Sequence, residues 1–452
     1  MKHIWLIIEG GDIAIERQQL IDEGRDIASV SDALSELEQA DPGANPAKQR
    51  EAEALLDATA VLPMRSDCPY EEPDELDAIL EQRNKDLHSA PVSPPPDEAL
   101  QEKLLGAWQG RCSGCLLGKP VEGWRSEAMW GYLQDLGRFP LNSYFRSDAP
   151  EAVVQKHGVH IAASCVDKVD CMPEDDDTNY TVLALKLLRE HGPDFTTLDV
   201  ANAWLANLPI LHTCTAERVA YRNLALLVPP PESARRRNPY REWIGAQIRA
   251  DAYGYVAPGD PEQAAKMAWR DACVSHVKNG IYGAMWVAAM TAAAAVESSP
   301  ETVIRAGLGQ IPVRSRLSEA ITDVLAWRDE GIDAEQAIAR VHERWDEHNP
   351  HHWCHTISNA QIVALGLLWG EANFARSICL AVQACFDTDC NGATVGSIVG
   401  MMLGTKRLPE EWIAPLNDTL ITGVADYSEV RISDLARETF ALVNSFASVD
   451  RT

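Results

Sequence analysis

The chain has 452 residues, 46% of them hydrophobic, which supplies a buried core for one large domain or two ordinary ones. Its 40 basic and 67 acidic side chains leave a net charge of -27, which sets the surface against nucleic acid and anionic membranes. The 11 cysteines are odd in number and lack framework spacing, so a disulfide scaffold is excluded and a reducing, cytoplasmic location is expected.

Residues 1 to 95 stand apart. They hold 8 basic and 21 acidic side chains, a net of -13, and read as an acidic N-terminal extension of unknown role. The apolar run Ile4 to Ile8 is too short for a signal sequence or a membrane span and is predicted as a short strand. Helices are predicted around 14–38 and 46–60, and the Pro-rich stretch 90–96 is predicted as a linker.

From 96 to 452 the pattern predicts an all-α, compact multi-helix domain. Helices are expected at 98–117, 179–191, 199–207, 261–275, 283–297, 316–330, 333–347, 357–370, 374–384 and 393–403, with long loops, of a length that is often functional, at 121–173 and 208–244. The Arg235 to Arg237 run reads as a solvated loop, and Cys112 and Cys115 as small core residues. His348, His351, His352 and His355 flank Pro350 and share no helix face, so they read as loop polarity and helix entry in preference to metal ligands. Trp243, Trp286 and Trp353 read as core or rim packing.

Glycine recurs every fourth residue at Gly106, Gly110, Gly114 and Gly118, and again at Gly392, Gly396, Gly400 and Gly404. Each glycine weakens a helix by about 1 kcal/mol relative to alanine. Because positions four apart share a face, each ladder offers a groove that another backbone can approach closely. Packed antiparallel, the end of the first ladder near Glu122 would meet the start of the second near Asp387.

Both ends carry acids. Glu174-Asp175-Asp176-Asp177-Thr178 opens directly into a helix, with more carboxylates than capping requires. Asp387-Thr388-Asp389-Cys390 precedes the second ladder within apolar sequence, where carboxylates need hydrogen bonds, protonation or a metal. Hard oxygen donors without paired histidines suit magnesium, manganese or calcium.

These stretches carry a resemblance. The segment from Gly106 to Gly123, with Gly118-Lys-Pro-Val-Glu122 at its end, resembles the opening helix of the ADP-ribosylglycohydrolase family. Asp175-Asp-Asp-Thr178 resembles that family's Thr-Asp-Asp-Thr motif, and Asp387-Thr-Asp389 its late Asp-x-Asp motif. Further similarity runs through Thr215-Ala-Glu-Arg218, Trp243 to Arg249, Ser275-His276, His355 to Asn359 and Pro415 to Asp418.

The resemblance implies a hydrolase that cleaves the glycosidic bond at ribose C1 of an ADP-ribosyl group, on a protein side chain or a small molecule, with two divalent cations, Mg2+ or Mn2+. It implies Glu122, Asp177 and Asp389 as catalytic residues. Metal ligands would come from Glu122, Asp175, Asp176, Asp177, Asp387, Asp389 and Cys390. Gly245, Arg249, His276 and Asn359 would contact substrate, with Asn359 equally readable as a buried capping amide. Asp175 and Cys390 stand where the family has threonines, adding a carboxylate and a thiol that is a poor ligand for magnesium. The alternatives are a hydrolase of a different ribosyl metabolite and a non-catalytic, crystallin-like binding protein.

Overall fold

The computed structural model describes residues 3–87 and 90–449. Apart from a small antiparallel pair, Thr419–Ile421 with Glu429–Arg431, the regular structure of these residues is helical.

Its organising contact is the pairing of the two glycine ladders, the helices Asp97–Gly118 and Thr388–Leu403. They run antiparallel and backbone on backbone. A Cβ at Gly114 would lie 1.9 Å from the Gly392 carbonyl oxygen, at Gly110 2.1 Å from that of Gly396, and at Gly106 2.6 Å from that of Gly400. No larger residue fits this distance, so close packing over four turns offsets the intrinsic helix cost of glycine. At the far end Thr388 Oγ1 donates to the Gly118 carbonyl at 2.9 Å, which ties the approach to Glu122 against the start of the second ladder.

Other helices surround this pair. Thr356–Gly370 is buried at every position and Lys278–Ala294 at all but its first, as expected of helices apolar all round. The C-terminal helix Ile432–Val449 covers the first ladder, where Trp108 Nε1 donates to Thr439 Oγ1 at 3.0 Å.

Several expectations are corrected. Ile4 to Ile8 forms turns and no strand, and Ile8 N donates to the Gln49 side chain at 3.2 Å in place of a strand partner. The expected helix over 14–38 is two helices, Gly10–Asp22 and Ser31–Ala40, separated by a turn in which Gly24 takes φ +78°. The long segments 121–173 and 208–244 contain helices of their own, among them Ser126–Asp135 and Thr215–Ala225. Most consequentially, Asp176–His191 starts three residues before the predicted 179, and Thr388–Leu403 five before 393. Apolar periodicity is blind to acids in a first turn, and those acids are the ones that matter below.

The extension has a core of its own, built from Ile8, Ile13, Leu20, Leu34, Leu37, Leu55, Leu56 and Leu62 with Ala52, and it docks through charge. Arg241 Nη1 reaches Glu16 at 2.6 Å and Arg241 Nε reaches Glu23 at 2.7 Å; Lys278 Nζ lies 3.1 Å from Glu23. Arg316 holds Glu72 and Glu242 together at 2.8 Å each. Arg235 and Arg237 bind Asp74 and Asp57 at 2.9 and 2.7 Å, so this run is an interface and not a solvated loop. The Pro-rich stretch is also attached, with Val92 N donating to Gly259 O at 2.9 Å. All eleven cysteines are free thiols, and no helix among the described residues is long and apolar enough to cross a membrane.

Candidate metal centre

The ladder pairing brings three separate stretches of sequence to one point. Glu122 follows the first ladder and stays exposed, while Asp387, Asp389 and Cys390 open the second and are buried. The third contribution is the first turn of Asp176–His191. Ligand-capable atoms of Glu122, Asp387 and Asp389 lie within 4.8 Å of one another, as do those of Asp177, Asp389 and Cys390, and those of Cys115, Asp175 and Asp177.

The four adjacent acids divide their tasks. Asp175 caps the helix, its Oδ1 accepting from Asp177 N at 2.9 Å, while its Oδ2 accepts from Lys119 Nζ at 2.7 Å. Glu174 bonds His212 and also accepts from Asn179 Nδ2 at 3.1 Å. Asp177 is fully buried; Arg111 Nη2 lies 3.3 Å from its Oδ1, and its Oδ2 has no hydrogen-bond partner. Asp389 Oδ1 is likewise buried and unpartnered. Asp387 is oriented from behind: its N–H donates to Asn359 Oδ1 at 3.1 Å, and Cys354 Sγ donates to its Oδ2 at 3.5 Å.

Carboxylates outnumber cations here, and their proton affinities show it. Asp389, then the protein packed around its carboxyl, which limits solvation though the side chain is exposed, then Asp175 and Asp176 push Glu122 up to about 9. Burial, Asp175 and Asp389 push Asp176 up to about 8. Asp389 itself is raised to about 6 by burial and Asp175, and Asp177 and Asp387 are held well above the carboxylate range by burial and the neighbouring aspartates. Arg111 is committed to Asp177 and to Asp251 at 2.8 Å, and Lys119 to Asp175. Orphaned buried carboxylate oxygens in a cluster short of positive charge fit a divalent cation, which would answer both deficits.

The proposed substrate residues lie in internal networks. Arg249 is buried, donating to Glu217 Oε1 at 2.7 Å and Ser275 Oγ at 2.9 Å and bonded to Asp271. Gly245 is pressed against Glu217, whose Oε1 would lie 2.0 Å from a Cβ placed there. His276 is buried, its Nδ1 2.8 Å from Ser275 Oγ. Asn359 bridges Asp387 N, Asn391 Nδ2 and the carbonyls of Trp353 and His355, the capping-amide role. His355 accepts from Ile357 N at 3.1 Å and so opens its helix, as the helix-entry reading requires. Trp286 is core, and Trp353 is a partly exposed rim residue under the Arg125 guanidinium.

Sequence reasoning missed Lys119, Arg111, Glu217 and the thiols of Cys115 and Cys354. Arg111 had a signal, since a charge inside an apolar glycine helix needs a buried partner. Glu217 lay within Thr215-Ala-Glu-Arg218, a stretch of family similarity, and Cys354 had no signal.

In comparison with known proteins, residues 96–444 match the model of the ADP-ribosylglycohydrolase family. Among solved structures, a chain titled "ADP-ribosylglycohydrolase-related protein complex" is similar at 18% identity and a TM-score of 0.45, covering 77% of this chain and 99% of that one. No curated protein matches the sequence. With a family model spanning most of its length, from the approach to the first ladder through most of the C-terminal helix, the chain belongs to the ADP-ribosylglycohydrolase family.

Proposed function

We propose that the chain is a metal-dependent hydrolase of the glycosidic bond at ribose C1, acting on an ADP-ribosyl group attached to a protein side chain or a small molecule. The observation that carries this reading is the pair of orphaned carboxylate oxygens, Asp177 Oδ2 and Asp389 Oδ1, buried between two helices with Glu122 exposed beside them. A purely structural protein has no physical need for such a cluster, because each uncompensated carboxylate costs several kcal/mol.

Asp177, Asp387 and Asp389 would hold the cations, with Asp176 and Glu122 at the open side. Divalent cations, when bound, supply positive charge that grips ribose hydroxyls and eases ionisation of water. The protein's own part is orientation. Asn359 and Cys354 fix Asp387, Arg111 fixes Asp177, and Lys119 holds Asp175 in its capping pose. Glu122, exposed beside the buried aspartates, is placed to accept a hydrogen bond from a ribose hydroxyl and align C1. Burial keeps bulk water from Asp177, Asp387 and Asp389.

One observation favours a different ribosyl substrate as the second reading. The segment Ile244–Arg249 is wholly buried and Arg249 is spent on Glu217, Asp271 and Ser275, so this loop leaves no free guanidinium for a diphosphate.

The deciding experiment is calorimetric titration of the metal-loaded protein with ADP-ribose, repeated on Asp389→Ala. Metal-dependent binding that the substitution abolishes is the expected result. Metal binding without any response to ADP-ribose would transfer the reading to another ribosyl compound, and absence of metal binding would overturn it.

A further inference from the structure

The acidic centre is ringed by sulfur. Cys390 Sγ lies within 4.8 Å of carboxylate oxygens of Asp177 and Asp389, and Cys115 Sγ stands equally close to those of Asp175 and Asp177. Both thiols are buried, Cys115 completely. The third cluster, Glu122 with Asp387 and Asp389, is oxygen only. Asp389 therefore belongs to two subsites of unlike chemistry, one hard and one bearing a thiol.

A buried cysteine beside carboxylates is by itself a small core residue. Two further facts make Cys390 more than that. Asp177 Oδ2 and Asp389 Oδ1, on the two residues that share its cluster, are buried without hydrogen-bond partners. Cys390 also sits in the first turn of the second ladder helix, between Asp389 and Asn391, so the glycine ladder fixes its backbone beside the two aspartates.

Resting on the metal-dependent reading above, we infer that the two subsites select unlike ions: Glu122, Asp387 and Asp389 a hard cation such as Mg2+ or Mn2+, and Asp177, Asp389 and Cys390 a thiophilic one of the Zn2+ or Co2+ class. Thiolate sulfur favours Zn2+ and Co2+ over Mg2+, whereas an all-carboxylate set favours the hard ions. On ligation the Cys390 proton leaves to solvent, and the thiolate balances one charge of the ion.

The test is cobalt titration of the metal-stripped full chain, read by absorption, with and without excess Mg2+. A near-ultraviolet thiolate-to-cobalt band that saturates at one ion per chain and survives Mg2+ is expected. In Cys390→Ser the band should vanish and Zn2+ affinity fall by about 100-fold or more, the upper end of what losing an outer-shell partner costs, with Mg2+ affinity unchanged. Cobalt bound with no such band, or a band that persists in Cys390→Ser, overturns the inference while leaving the metal-dependent reading standing. Failure of every divalent ion to bind overturns both. Cadmium titration of the unsubstituted chain needs no variant: its sulfur-to-cadmium absorption supports the assignment, and cadmium bound without it counts against.

Discussion

Where the N-terminal extension meets the rest of the chain, Glu23 and Glu72 are buried opposite Arg241, Lys278 and Arg316. At the centre, Asp177, Asp387 and Asp389 are buried largely opposite one another. Burial alone would raise Glu23, but Arg241, Lys278 and Arg25 together hold it well below the usual carboxylate range, and Glu72 is lowered in the same way by Arg316. Glu16 and Glu242 are exceptions at the interface, burial outweighing Arg241 at the one and Arg316 at the other. At the centre Asp177, Asp387 and Asp389 are all shifted upward, burial being the largest cause at each. Equal burial with opposite outcomes teaches that matched charge builds an interface, while unmatched charge stores a demand that only a ligand answers.

The largest effect should come from unmatching the interface. Arg316→Ala strands Glu72 and Glu242 without their guanidinium, and denaturant unfolding should show a loss of about 3–5 kcal/mol. A loss below about 1 kcal/mol would mean that water replaces the guanidinium and the contrast with the centre fails.

At the centre the sign should reverse. Asp389→Asn relieves repulsion on Glu122, Asp176 and Asp177, so the metal-free protein should gain about 1–3 kcal/mol near pH 8, given 1.36 kcal/mol per unit of pKa shift. The same variant should lose the stabilisation that added divalent ions confer on the unsubstituted protein.

The pH dependence sharpens the comparison without any substitution. Glu122, Asp176 and Asp389, raised to about 9, 8 and 6, contribute stability that is full below their ordinary values of 4.5 and 3.8 and is lost as pH climbs through the raised ones. Glu23 and Glu72, held low, contribute stability present above their ordinary 4.5 and lost as pH falls through their depressed values. Thermal unfolding of the metal-free protein should therefore drop from pH 6 to 9, and Mg2+ or Zn2+ should restore it. A flat profile across that range would show the carboxylates to be solvated.

The smallest effect belongs to the rim. Arg314 and Glu71 pair at 2.6 Å but are about half exposed, and Arg314→Ala should cost under about 1 kcal/mol in the same unfolding assay.

Much of this was legible before any coordinates. Glycine at every fourth position announces a groove, and two such grooves in one apolar chain announce each other; from their antiparallel pairing the meeting of Glu122 with Asp387 follows. The early starts of the Asp176 and Thr388 helices were not legible, because the acids that begin them have poor intrinsic helix preference and are held there by caps and partners distant in sequence. The separation of the Gly245 to Arg249 loop from free solvent was equally hidden. It depends on Glu217 and Asp271, which reach Arg249 from two separate helices, Thr215–Ala225 and Pro261–Ala272.

What the sequence by itself determined was the helical class, the ladder pairing and the identity of the acids, because periodicity, glycine spacing and local charge are properties of neighbours along a chain. Only the tertiary structure decided which acids are answered by a cation. Lys119 takes Asp175, Arg111 takes one oxygen of Asp177, and Arg316 takes Glu72 and Glu242 across 244 and 74 residues. Charge matching over such separations depends on burial and distance, which no local pattern records.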